Sequence, residues 1–312
     1  MSSATCAAID LGATSGRVIV GVWGKKPALT EVHRFANAFH SLGAHDYWDI
    51  PLLWEEIRTG LRKAKAQFPK IASVGVDSWG CDHVLLNDAG RLVFPTHAYR
   101  DARTQPGLQS LANFGLDRVY AATGIPNAFY NSSLQLAEVV RNCPAVEDLA
   151  TRCLFLPDYF NYLLSGRMEN ELSIASTTQL LDVHGRGWSR EALEFFHIPP
   201  QWFSPPVLAN TKLGKVTGVP ELQGVATIAV PGHDTACAFD AMPADPAGGD
   251  LYISSGTWSL VGCENDAPIL GAEALAARVA NERTGRGGYR PLTNIIGLWL
   301  LERTLLDFSA RP

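Results

Sequence analysis

Asp10 closes an apolar run and opens a turn of two glycines, two hydroxyls and a cation: Asp10-Leu11-Gly12-Ala13-Thr14-Ser15-Gly16-Arg17. A turn of this kind bares backbone N–H groups, which form a nest for phosphate oxygens, and the Thr14 and Ser15 hydroxyls add donors. Arg17 brings a delocalised positive charge of the sort that steadies a phosphoryl group in transfer. Asp10 can hold a hydrated Mg²⁺, an ion that keeps most of its waters and needs few carboxylates. A second turn repeats the logic, with Ser254-Ser255-Gly256-Thr257 between apolar runs in the stretch 250–262. Both are equally compatible with ordinary β-turns, where glycine and small polar residues are common. Neither is a GxxxxGK[ST] loop or a GxGxxG fingerprint.

Two further stretches carry chemistry. In Pro231-Gly232-His233-Asp234, the carboxylate follows a tight turn and precedes a small apolar helical pattern. Asp234 is placed to act as general base on an attacking alcohol, or simply to cap the helix. Asp77, Trp79, Gly80 and Asp82 follow a buried apolar run, a carboxylate-plus-aromatic set that suits sugar binding in a preformed cleft. Arg100-Asp101-Ala102-Arg103 and Asp158-Tyr159-Phe160-Asn161 are of the same type, and each also reads as a turn, an ion pair or a helix start.

The elements that must position these groups follow an α/β order. Three β-branched segments over residues 5–37, split by the 12–15 and 25–27 turns, predict an antiparallel meander. Leu53, Ile57, Leu61 and Ala64 recur at helical spacing after Pro51, which suits a first helical turn. A buried strand ending at Asp77 comes next, then a mostly helical region over 103–166, with Gly166 as a helix C-cap. Residues 242–249, rich in Pro and Gly, mark a domain junction. The two glycine-tipped hairpins then fall one to each domain, as a duplicated unit would place them.

The 312 residues, 46% hydrophobic and 18% charged, describe a globular chain able to bury a large core. The net charge of −5 is dispersed and leaves no basic stripe, which argues against nucleic acid as a partner. No apolar run reaches the length of a membrane span. The N-terminus lacks a basic region and meets Asp10 early, unlike a signal peptide. Six scattered cysteines without a CxxC pair fit reduced thiols in the cytoplasm.

In sequence and order, "AIDLGATSGRV", "VGVDSWGCDHVLL", "YRDARTQ", "LFLPDYFNYLLSG", "STTQL", "GHDTACA" and "YISSGTWSL" resemble the FGGY carbohydrate kinases, from about Thr5 to about Leu305. The resemblance implies an α/β, actin-like ATPase (ribonuclease H-like) fold of two domains hinged about a cleft. Residues 1–243 would be the complete sugar-binding domain and 244–312 the start of the nucleotide-binding domain. It implies ATP and Mg²⁺, with Ala13, Thr14, Ser15, Gly16 and Arg17 and, opposite, Gly256, Thr257, Asn294 and Glu302 on the nucleotide, and Asp10 on the metal through water. Asp234 would be the base, and Gly80, His233, Trp79 and Asp77 would hold the sugar. The expected substrate is a ketose, L-rhamnulose, phosphorylated at its primary hydroxyl. Glu302 stands where the family pattern favours glutamine. The pattern also runs on past Pro312, so the expectation is a C-terminally truncated chain. It works with a separate C-terminal fragment or survives as an inactive sugar-binding relic.

Overall fold

The computed structural model describes residues 4–111, 115–243, 249–256 and 258–309. The meander forms as the alternation predicts: β1 (Ala4–Leu11), β2 (Ser15–Trp23) and β3 (Ala28–Ala36). One face of β1 and β2 buries Ala7, Ile9, Leu11, Val18 and Val20. A short hairpin, β4 (Phe39–Leu42) and β5 (His45–Trp48), leads to helix α1 (Ile50–Gln67). Asp49 caps α1 by accepting from Leu52 N, and Pro51 sits in its first turn, where a missing N–H costs nothing. Leu53, Ile57, Leu61 and Ala64 bury the helix against the sheet. A β-carbon on Gly60 would lie 2.3 Å from Val18 Cγ2, so this glycine sets how closely α1 approaches.

Strand β6 (Ser73–Ser78) lies parallel to β1, and the pairing places Asp10 opposite Asp77. β7 (His83–Leu86) pairs with β8 (Arg152–Phe155). The region between them carries α2 (Gln105–Leu111), α3 (Leu116–Thr123), α4 (Ser132–Asn142) and α5 (Val146–Leu149). β8 interrupts a region expected to be helical. Four residues are too few for periodicity to register, and pairing with β7 decides the outcome. α6 (Leu156–Ser165) ends at Gly166 in the left-handed conformation, as expected. α7 (Leu172–Ala175) and α8 (Arg190–Phe196) follow, and a second core gathers Leu136, Phe155, Ile174 and Leu180 around the fully buried Trp202.

β9 (Lys212–Lys215) and β10 (Ala226–Ile228) complete a six-stranded sheet of order β3-β2-β1-β6-β10-β9. α9 (Asp234–Ala241) follows the turn at Gly232. Beyond it, β11 (Tyr252–Ser255), β12 (Trp258–Gly262), β13 (Ala280–Arg283) and β14 (Tyr289–Ile296) form a second sheet of order β11-β12-β14-β13. α10 (Ala272–Ala276) and α11 (Trp299–Ser309) flank it. The buried apolar cluster beneath this sheet, Ala280 and Leu292 with Ile125, borrows a residue from the loop after α3. Polar contacts carry much of the rest: Asn281 N donates to Gly124 O at 2.9 Å, Arg283 N to Ser176 Oγ at 2.8 Å and Tyr289 Oη to Val183 O at 2.6 Å. Ile253, Ile295, Ile296 and Leu305 remain exposed. Among the described residues no helix is long and apolar enough to cross a membrane.

Candidate active site

The carboxyl ends of parallel strands are where open α/β sheets receive ligands. Here β1 ends with Asp10 and Leu11, β6 with Asp77 and Ser78, and the turn after β10 delivers His233 and Asp234 beside them, with a bridge between Ser78 and His233. A cleft of about 530 Å³ opens over this edge, within the range of small-molecule sites. It is lined by Asp10, Ala13, Thr14 and Arg17 from the first hairpin, by Trp79, Gly80, His233 and Asp234 at the strand ends, and by Gly256 and Asn294 from the second sheet. Asp10 and Asn294, 284 positions apart in sequence, thus share one cavity. Ser15, Gly16 and Asp77 are not in the lining. Ser15 pairs into β2, Gly16 is packed against the Phe35 ring, and Asp77 is buried behind the cleft. Thr257 lies outside the described residues, as does the side chain of Glu302, whose backbone is in α11.

The first turn is held from both sides. Gly12 N donates to Ser15 O at 2.9 Å, Asn37 N to Thr14 O at 3.0 Å and Asn37 Nδ2 to Gly12 O at 2.9 Å. A β-carbon at Gly12 would lie 2.8 Å from the Ser15 carbonyl oxygen, so glycine is required there. Antiparallel register sets Arg17 across from Asp10, and Arg17 Nε donates to Asp10 Oδ2 at 2.7 Å. The second turn is braced by Leu298 N, which donates to Gly256 O at 2.9 Å, and Asn294 Nδ2 donates across the cleft to Tyr130 Oη at 3.1 Å. Burial pushes the Tyr130 hydroxyl up to about 12, so it stays a neutral hydrogen-bonding group.

Burial raises the pKa of Asp77 well above the carboxylate range, and the negative charges of Asp10 and Asp234 push it further. Asp234 is also raised, chiefly by burial, although 39% of its side chain reaches cleft solvent. It lines the cleft and is open to a ligand. Its Oδ1 accepts from Thr235 N at 2.6 Å and from Thr235 Oγ1 at 3.1 Å, which orients the carboxylate. Asp10, Asp77 and Asp234 repel one another, and Arg17 is the one lysine or arginine among the described residues that line the cleft, a balance that a divalent cation fits. Among the described residues no three His, Cys, Asp or Glu side chains converge to ligate a metal directly, so an ion here would be held largely through water.

Several lining residues carry no recognisable signal in sequence: Cys81, Tyr99, Ile125, Tyr130, Thr177 and Glu282. Glu282 alone was within reach, because a hairpin around the glycines at 285, 287 and 288 sets Glu282 opposite Arg290. Other acids expected on the sugar are spent on protein donors. Asp82 accepts from Trp48 Nε1 and Trp79 Nε1, Asp101 from Asp46 N and Arg103 N, and Asp158 from Glu171 N.

Residues 5–242 match the profile of the FGGY family of carbohydrate kinases, N-terminal domain. The chain is 40% identical over 315 residues to the rhamnulokinase of Klebsiella pneumoniae subsp. pneumoniae, spanning 98% of this chain and 63% of that one. It is likewise 40% identical over 311 residues to the rhamnulokinase of Bacteroides thetaiotaomicron, with 97% and 63% covered. The chain therefore spans just under two thirds of the length of these curated relatives. In fold it is similar to gluconate kinase from Lactobacillus acidophilus, with a TM-score of 0.83 at 16% identity over 96% of this chain and 62% of that one. It is also similar to Plasmodium falciparum glycerol kinase with ADP, with a TM-score of 0.78 at 16% identity over 97% and 64%.

Proposed function

Because the chain belongs to the FGGY family of carbohydrate kinases, we propose that it serves ATP-dependent phosphorylation of a ketose at its primary hydroxyl, with L-rhamnulose as the substrate. The observation that carries this is Asp234, a carboxylate of raised proton affinity that lines the same cleft as both glycine turns and lies beside His233. The choice of L-rhamnulose is supported by the 40% identity to rhamnulokinases. Residues 1–243 form the sugar-binding domain in this reading, and 244–312 open the nucleotide-binding domain. The cytoplasm is the compartment that suits six free cysteines.

Bound MgATP supplies the electrophilic γ-phosphorus and part of the charge that transfer requires. The chain's own groups do the rest. His233 and Gly80 seat the sugar against the Trp79 face. Asp234 takes the proton of the primary hydroxyl onto its carboxylate, and its raised proton affinity makes it a stronger base than an exposed aspartate. The backbone N–H groups of Ala13 and Thr14 hold phosphate oxygens, and Arg17, freed from Asp10, meets the developing charge. Asp10 would hold the hydrated cation through water at the strand ends, and apolar Ile125 and Leu260 help exclude water.

The test is ADP formation by the chain with L-rhamnulose, D-xylulose, gluconate and glycerol. L-Rhamnulose should give the highest kcat/KM. Asp234→Asn should lose about 10²–10⁴-fold in kcat while still binding the sugar. ATP consumption that no sugar stimulates, or an Asp234→Asn variant as fast as wild type, would refute the proposal.

A further inference from the structure

One buried ion pair stands in the wall of the cleft, Glu282 in its lining and Arg290 behind it. Glu282 on β13 and Arg290 on β14 are cross-strand partners, and Arg290 is fully buried. The guanidinium is fixed by Nε donating to Arg283 O at 2.9 Å, by stacking near the Phe239 ring, and by Nη2 donating to Glu282 Oε2. The same Nη2 lies 2.6 Å from His233 Nδ1, and Glu282 Oε2 lies 3.0 Å from that nitrogen. The other face of the ring looks into the cleft. His233 Nε2 is 3.4 Å from Asp234 Oδ1, and a β-carbon on Gly80 would be 3.4 Å from it.

These contacts discriminate between the two neutral forms of the imidazole. Arg290 Nη2 carries two hydrogens and accepts nothing, so it can serve Glu282 Oε2 with one and His233 Nδ1 with the other. With the proton on Nε2, Nδ1 accepts from Arg290 and Nε2–H points towards the Asp234 carboxylate. With the proton on Nδ1, that N–H could serve Glu282 Oε2 at 3.0 Å, but it would meet the shorter-range Arg290 N–H at 2.6 Å, and the bare Nε2 would face a carboxylate oxygen, acceptor against acceptor: one contact met and two opposed. A buried ion pair is seldom retained for stability, since apolar residues of similar size do as well or better. This one also leaves Arg290 Nη1 buried without a hydrogen-bond partner. What the pair supplies is orientation.

We infer that Glu282 and Arg290 are positioning residues that lock His233 as its Nε2–H tautomer, making it a hydrogen-bond donor to a substrate oxygen in the cleft. Substrate selection follows. The site favours a sugar that presents a carbonyl or hydroxyl acceptor beside the hydroxyl being phosphorylated, and it disfavours an analogue with a hydrogen at that position. The substrate role of His233 rests on the kinase reading, whereas the tautomer does not.

The experiment is ¹⁵N NMR of the histidine-labelled chain, with the His233 signals assigned by loss in His233→Gln. The expected spectrum has a bare Nδ1 and a protonated Nε2. A proton on Nδ1, or on both nitrogens, overturns the inference even where ATP is consumed. Since a single substitution would strand a buried charge, the companion variant is the apolar double Glu282→Leu/Arg290→Met. It should fold with unchanged or raised Tm and show a mixture of tautomers. Its KM for the ketose should rise about tenfold, the worth of one hydrogen bond, with KM for ATP and kcat held within about threefold. A double variant that keeps a single Nε2–H tautomer, or loses kcat without a change in ketose KM, also overturns it. An Nε2–H tautomer in a chain that phosphorylates no ketose supports the tautomer lock and fails the kinase reading alone.

Discussion

Asp82 is a buried carboxylate whose ionisation the fold resists, and its titration should be measurable as stability. Its Oδ2 accepts from Trp48 Nε1 at 2.5 Å, Trp79 Nε1 at 2.8 Å and Tyr99 N at 3.2 Å, and its Oδ1 accepts from Gln135 Nε2 at 3.2 Å. Burial nevertheless pushes its pKa from 3.8 up to about 6, against the pull of those donors. Between these two values the folded chain keeps a proton that the unfolded chain has released. Stability from this group is therefore fully present below pH 3.8 and declines as pH rises to 6. The shift of about two units corresponds to roughly 3 kcal/mol. Other groups titrate in the same window. His83 and His97, held at about 3 chiefly by burial, contribute with the opposite sign. The clean quantity is thus a difference between variants. Urea unfolding of wild type and Asp82→Asn at closely spaced pH values should show the asparagine variant gaining about 3 kcal/mol relative to wild type from pH 3.8 to 6.5. The indoles of Trp48 and Trp79, with ring centroids 4.4 Å apart, supply a second readout. Their fluorescence should titrate near pH 6 in wild type and stay flat in the variant. A pH-independent difference in stability, with no fluorescence transition, would refute the reasoning.

Two further outcomes test the frame around the cleft. Gly12→Ala forces a β-carbon against the Ser15 carbonyl and opens the first turn; kcat/KM for ATP should fall by one to two orders of magnitude, as misplaced catalytic groups do, with ketose binding unchanged in calorimetry. Trp202→Ala empties the centre of the second core, where the indole is fully buried and donates to Ala150 O at 2.9 Å; urea unfolding should report a loss of about 3–5 kcal/mol.

The elements with strong periodicity were legible in the sequence. Val18 and Val20 alternate, Leu53, Ile57 and Leu61 recur at helical spacing, and both patterns resolve as read because each element is long enough to show its period. Arg152–Phe155 did not show, being four residues whose strand character comes from a partner almost 70 positions away. The candidate site divides in the same way. The glycine turns and Asp234 stand out locally, since a tight turn needs particular residues. Tyr130 and Thr177 reach the cleft through loops and short turns that no local pattern encodes. The carboxylates show a further limit. Asp82 and Asp234 have similar neighbours in sequence, glycine and an aromatic or imidazole, yet one is satisfied by indole N–H groups and the other faces the cleft. Residue type cannot say whether the donors will be protein or ligand.

The parallel pairing of β1 with β6 also has a kinetic meaning. Asp10 and Asp77 become neighbours only after 67 residues have been looped out, and His233 joins them from a further 156 residues along the chain. Such non-local closures are slow relative to the local meander and α1, which form from contiguous chain. His233 then waits for Arg290, 57 residues later, before its ring is fixed. On the ribosome the scaffold of the first sheet can assemble while the cleft is still unfinished. The contact that fixes the His233 ring thus belongs to the last part of the cleft to be synthesised, the pairing of β14 with β13.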